Sequence, residues 1–139
     1  MIKIDGMEES LKILREIGEV YDEEILKEAN NIGLDFRDDV RANTPVDTGE
    51  LRRSTNFDGT KKTGKNFEIK VYNNTEYVDH LEYGHRQEVG RYVPAIGKRL
   101  KKPFVKGYYM FRNAENNIQT ELDERLYQAI RRADDRLND

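Results

Sequence analysis

The chain has 139 residues, 37% of them charged, with a net charge of −3 and a mean hydropathy of −0.93. That length is enough for one domain with a single, economically filled core. The absence of cysteine excludes disulfides and thiolate metal sites, and no run approaches the roughly 18 apolar residues of a membrane span.

The opening residues, Met1-Ile2-Lys3-Ile4-Asp5-Gly6, lack the apolar centre of a signal peptide. The expectation is a protein made and used in a cytoplasm, or in something assembled there. Charge is unevenly spread: net −8 over residues 1–50, +1 over 51–83, +7 over 84–112 and −3 over 113–139. Such segregation bears on partners rather than on fold.

Residues 7–43 read as a helix. Leu11, Leu14, Gly18, Tyr21, Ile25, Ala29, Ile32, Phe36 and Val40 recur at steps of three and four and so share one face. Unbroken, the helix would span roughly 50 Å, although Gly18 and Gly33 are candidate kinks. The segment Thr44-Pro45-Val46-Asp47-Thr48-Gly49 is a hinge. Pro45 cannot continue a helix, it biases Thr44 toward extended geometry, and the residues after Val46 are turn formers.

A weak strand signal over Leu51–Phe57 and a clean alternation over Phe67–Tyr72 predict a hairpin across residues 51–72, connected through Asp58-Gly59 and Thr63-Gly64. A short helix is expected at residues 76–83, with Thr75 as its cap. Residues 84–103 hold Gly84, Gly90, Pro94, Gly97 and Pro103 with little periodicity, which predicts a long basic loop. Residues 105–111 read as a strand. Ala114, Ile118, Leu122, Leu126, Ala129, Ala133 and Leu137 mark an amphipathic helix over 113–137. The expectation is one α+β domain covering residues 1–139, with two long amphipathic helices packed on a small, mainly antiparallel sheet.

Chemistry-bearing motifs are few. Gly59-Thr60-Lys61-Lys62-Thr63-Gly64-Lys65-Asn66 approaches a phosphate-binding loop, but Asn66 stands where a magnesium-holding hydroxyl is needed. A strand follows it rather than a helix N-terminus. His80 and His85 are the only histidines and lie five apart across Gly84, a poor spacing for helical zinc ligands. No nucleophile elbow or carboxylate pair stands out by spacing, so neither a catalytic residue, a cofactor nor a metal site is expected.

The basic segment admits three readings. Arg86, Arg91, Lys98, Arg99, Lys101, Lys102 and Lys106 surround Tyr92, Val93, Ile96 and Leu100. They would follow a nucleic-acid backbone, meet an acidic surface of another subunit, or simply be solvated. The acidic first third of the chain, which would repel DNA, favours the second. The subunit interface expected on this ground joins Arg91, Lys98, Arg99, Lys101 and Lys102 to Glu16, Glu19, Glu23 and Glu24.

Three segments taken in order resemble a known family. They are Pro45-Val46-Asp47-Thr48-Gly49-Glu50-Leu51-Arg52-Arg53-Ser54, then Tyr77-Val78-Asp79-His80-Leu81-Glu82-Tyr83-Gly84, then Arg112-Asn113-Ala114. The chain resembles the neck or tail-completion proteins of long-tailed bacteriophages, with the likeness carried by Pro45, Asp47, Thr48, Gly49, Leu51, Arg52, Ser54, Tyr77, Glu82, Gly84, Arg112 and Ala114. Ile4-Asp5-Gly6 resembles the family's opening. His85 departs from it, since a small residue often follows that glycine, and the 84–103 segment is longer and more basic than a minimal member requires. The resemblance implies a non-enzymatic virion protein, assembled in the bacterial cytoplasm. It would form a homo-oligomeric ring, expected to be a hexamer, between the head connector and the tail tube or its terminator, with no membrane partner and with DNA contact as the less favoured alternative.

Overall fold

The computed structural model describes residues 7–46 and 49–139. Helix α1 (Met7–Asn43) runs without interruption and ends where the proline requires it to. The Thr44 hydroxyl donates to the Val40 carbonyl at 2.6 Å, and the Asn43 amide to that of Asp39 at 2.9 Å, so the freed carbonyls of the last turn are occupied. Neither Gly18 nor Gly33 breaks the helix. Gly33 makes room instead: a Cβ there would lie 2.2 Å from the ring of Phe57.

Helix α4 (Met110–Asn138) packs antiparallel along α1. Tyr21 meets Asp134 at one end, and Asn117 donates to Asp39 at 3.1 Å towards the other. The core is narrow. Val40, Met110 and Ala114 are buried together under Phe36, Val78, Leu81 and Phe111, and Ala29, Ile32, Ala129 and Ala133 extend the buried seam. Alanine at three of the buried α4 positions lets the two backbones approach closely enough to seal so small a core.

Polar pairing does much of what apolar volume does elsewhere. Glu24 is 3% exposed and Glu28 is also buried, yet both carboxylates are answered from α4. Glu24 accepts from Arg136 at 3.0 Å and Arg132 at 3.4 Å; Glu28 accepts from Arg125 at 2.7 Å and Arg132 at 2.9 Å. Arg125 also reaches Asp35 at 2.8 Å and Arg136 reaches Glu23 at 2.9 Å. Burial pushes the Glu24 carboxyl up, but hydrogen bonds from Arg136 and Arg132, with the charges of Lys27 and Arg136, outweigh it. Its pKa lies below the ordinary 4.5.

Among the described residues the strands form four separate antiparallel pairs rather than one sheet. Strand β1 (Asn56–Phe57) pairs with β4 (Val71–Tyr72), and β2 (Lys61–Thr63) with β3 (Asn66–Glu68) around Gly64. Residues 51–57 are therefore not one strand: Glu50–Arg53 is a short helix, α2, placed by Gly49 at φ +80°. The alternation over 67–72 is split between β3 and β4. The short helix α3 (Val78–Tyr83) starts two residues later than expected, without a side-chain cap, because the Thr75 hydroxyl donates to Asn73 instead. Strands β5 (Gly84–Arg86) and β8 (Phe104–Lys106) pair, as do β6 (Tyr92–Val93) and β7 (Lys98–Arg99). The third expected strand thus ends at Lys106, and α4 begins three residues earlier than its apolar spacing marks. The architecture is α+β, with a two-helix frame carrying β hairpins at its side and end.

Candidate assembly surfaces

The first two motif segments meet in space. Pro45, Leu51, Tyr77 and His80 line one open cleft of about 850 Å³, together with Thr75 and His85. Each side of the cleft is tied to its neighbours by side chains that reach backbone. Arg52 donates to the Thr44 carbonyl at 2.9 Å, and Asn73 to the Leu51 carbonyl at 2.7 Å. Arg41 closes on the carbonyl of buried Thr55 at 2.7 and 3.0 Å. Ser54 donates to the Glu50 carbonyl at 2.8 Å, completing α2. Asp47, Thr48 and Ile4-Asp5-Gly6 lie outside the described residues.

The second and third segments form a joint. Glu82 is buried, and its carboxylate accepts from the backbone N–H groups of Phe111 at 2.9 Å and Arg112 at 3.0 Å. A carboxylate on the free amides at a helix N-terminus offsets both their lost bonds and the helix dipole. Tyr109 precedes that turn at φ +52°, the only non-glycine with positive φ among the described residues, and the Arg112 guanidinium covers its ring at 4.4 Å. Gly84, at φ +84°, cannot be replaced freely, since a Cβ there would sit 2.3 Å from the Val105 carbonyl oxygen. Ala114 is fully buried under α1, and Tyr77 is exposed at the rim of the cleft.

Beyond this joint the expected loop is an ordered arm. Residues 84–106 fold as one long hairpin, held between its strand pairs by Gln87 donating to the Pro103 carbonyl at 2.9 Å, Gly90 to that of Leu100 at 2.7 Å and Leu100 to that of Arg91 at 2.8 Å. Pro94, Ala95, Ile96 and Gly97 make the tip, with Gly97 at φ +62°. The arm carries seven basic residues and one acid. Among the described residues none of these enters an ion pair. Arg99 donates to the Gly90 carbonyl and covers the Tyr92 ring at 5.9 Å, while Arg91, Lys98, Lys101 and Lys102 are exposed. Val89, Tyr92 and Ile96 are exposed beside them.

The acidic half of the expected interface divides. Glu16 and Glu19 are exposed and enter no ion pair among the described residues. Glu24, in contrast, is buried and committed to Arg132 and Arg136, which corrects its expected place on an outward surface, and Glu23 is held by Arg136. The residues missed in sequence are Arg125, Arg132 and Arg136, whose spacing of seven and four on one helix face was the available signal.

His80 and His85 stack with ring centroids 5.1 Å apart, and Tyr77 meets His80 edge-on at 6.3 Å. Among the described residues no three side chains of ligating type gather. Lys61–Thr63 and Asn66 sit on the β2–β3 hairpin, so no helix N-terminus follows the glycine-lysine pair. No described helix is long and apolar enough to cross a membrane.

These surfaces are suited to holding other macromolecules: a buried joint fixes the frame, and the arm projects charge and apolar side chains that the frame does not use. Over residues 5–84, more than half of its length, the chain matches the family described as "Bacteriophage HK97-gp10, putative tail-component". The match takes in the first two motif segments and stops at Gly84, where the arm begins. No curated protein and no solved structure matches the chain. The match thus covers α1, the cleft apart from His85 and the Glu82–Gly84 turn, and the chain belongs to this family of bacteriophage tail components.

Proposed function

We propose that the chain is a non-enzymatic structural subunit of the neck, or tail-completion, ring that joins a phage tail to the head connector. Copies of the chain form the ring, a hexamer in this reading, and its faces meet the connector and the tail tube or its terminator within the virion, after assembly in the bacterial cytoplasm. The observation that carries the reading is the arm: a long hairpin, dense in basic side chains that enter no ion pair among the described residues, with exposed apolar ones beside them. Paired with the tail-component family, such a surface is best explained as one covered on assembly.

The test is reconstitution. A phage lacking this chain is expected to yield filled heads and separate tails, and adding the purified protein should join them in electron micrographs. Joined particles at normal yield without the chain overturn the neck role.

One observation favours a second reading, in which the arm binds nucleic acid: Tyr92 and its basic neighbours lie exposed on the same hairpin. Phosphate contacts give a steep dependence of affinity on salt, with a slope near one per contact. Binding of duplex DNA with such a slope, lost when Lys98, Arg99, Lys101 and Lys102 are reversed to glutamate, would establish it.

A further inference from the structure

The two ends of the helical frame are unlike. Helix α1 outruns α4: Tyr21 meets Asp134, the last four residues of α4 run beside the next turn of α1, and residues 7–16 extend roughly 15 Å further. Met7, Leu11 and Leu14 continue the stripe that is buried against α4 elsewhere, yet here they are exposed, Leu14 by 62%. Gly18, next in the stripe, leaves a notch, since a Cβ there would meet nothing within 4 Å. Glu8 and Glu19 lie beside the stripe with Arg15, while Lys12, Glu9 and Glu16 turn progressively to the far face; all six are exposed, and residues 7–20 carry a net charge of −2.

The arm is rooted at the other end. Its base joins α3 and the start of α4, beside Val40. From Val40 back to Leu14 is roughly 40 Å along the helix axis, whereas ten residues of strand from Arg86 to the tip reach roughly 33 Å. The arm falls short of Leu14 and does not cover its own chain's stripe: Leu11, Leu14, Tyr92 and Ile96 are all exposed. One surface is strongly basic with an apolar tip, the other an apolar stripe on a helix end of net charge −2, and they lie at opposite ends of one molecule.

We infer that the arm tip of one copy, through Tyr92 and Ile96, seats on the Leu11–Gly18 stripe of the next, with Arg91 and Lys98 turned towards Glu8 and Glu19 beside it. The occupant of the bare helix end is thus a second copy of this chain. The contact joins two different surfaces, so it propagates head to tail and closes into a ring if the rotation permits. Opposite charge selects the orientation, and apolar burial at the tip holds it. The inference rests on the ring reading above and assigns its contact.

Because the chain has no cysteine, a clean cross-linking test is available. Ile96→Cys and Leu14→Cys are prepared separately, both at exposed positions, and unchanged thermal melts establish that each still folds. The two are mixed at concentrations where the unmodified chain sediments as an oligomer and are then oxidised. The expected product is the mixed disulfide, several-fold above either self-linked dimer, and diminished by high salt. Leu14→Cys linking mainly to itself would overturn the inference in favour of twofold pairing of helix ends. Linkage at chance ratios, or absence of oligomer at any attainable concentration, would overturn it outright. A DNA duplex that protects Ile96→Cys from thiol labelling while no mixed disulfide forms would assign the arm to nucleic acid instead. Head–tail joining by the same preparations is scored in parallel, so loss of this contact with joining intact refutes the contact and leaves the neck role standing.

Discussion

In the α1–α4 pair charge is turned inward. Glu24 and Glu28 are buried, and Arg125, Arg132 and Arg136 lie across from them. In the arm charge is turned outward: seven basic side chains share one hairpin with one acid, and none has an ion-pair partner among the described residues. The net −8 of the first fifty residues thus overstates what a partner meets, because α4 neutralises much of it within the subunit. The +7 centred on the arm is not reduced in this way. Charge counted along a chain becomes an argument about partners only after internal pairs are removed.

That contrast can be broken most violently in the frame. Glu24→Lys places a third cation against Arg132 and Arg136 at a position that is 3% exposed. The expected cost is about 2–4 kcal/mol, below the full range for a severed buried pair because both arginines stay nearly half exposed. Denaturant unfolding measures it; a change under about 0.5 kcal/mol would mean that the paired charges add nothing to the frame.

Acid should act on the same site. Glu24 titrates lower in the folded chain than in the unfolded one, so its contribution is complete above the ordinary carboxylate value of 4.5 and is lost as pH falls through the lower, folded value. Thermal melts from neutral to acid pH should show a loss of stability that is smaller in Glu24→Gln. Identical pH profiles would contradict the assignment.

A smaller effect is expected at the joint. Glu82→Ala frees two backbone amides at the start of α4 and should cost about 1–2 kcal/mol. Hydrogen exchange is expected to quicken first at Phe111 and Arg112. In the arm, reversing Lys98, Arg99, Lys101 and Lys102 to glutamate should leave unfolding within about 0.5 kcal/mol of the unmodified chain and abolish assembly. Restoring charges are to be placed at Glu8 and Glu19, not at Glu23 or Glu24, whose reversal would also attack the frame. Smallest of all, His80→Gln with His85→Gln should leave bound metal and assembly unchanged; stoichiometric zinc lost in that variant would disclose a site.

The pattern of what could be read beforehand follows the same division. The steps of three and four along Leu11 to Val40 marked α1 over the residues it occupies, because one uninterrupted apolar face suffices to specify a helix. Pro45 marked its end. The motif residues pointed to the family the chain belongs to, and Glu82 and Gly84 prove to be the buried acceptor and the positive-φ turn at the joint. The short elements were harder. Leu51–Phe57 carried only a weak strand signal, and Gly49 and the bond from Ser54 to Glu50 wind the start of it into α2. Residues 84–103 looked like a loop because five glycines and prolines interrupt them and their apolar residues show little periodicity. Gly97 serves a hairpin tip, and the arm is held by backbone bonds that need no apolar pattern. The arginine ladder escaped notice because its partners are about a hundred residues away in sequence. Only the packing of two helices brings Arg132 to Glu28.

The most direct test of the contrast between an inward-paired frame and an unpartnered arm is hydrogen exchange on the free chain and on the chain within assembled particles. Protection is expected to rise on assembly at residues 87–100 of the arm and 7–20 of α1, while amides around Ala114 and Ala129 remain as slow as in the free subunit. Equal protection of the arm in the two states would mean that nothing covers it, and would contradict its role as the assembly surface.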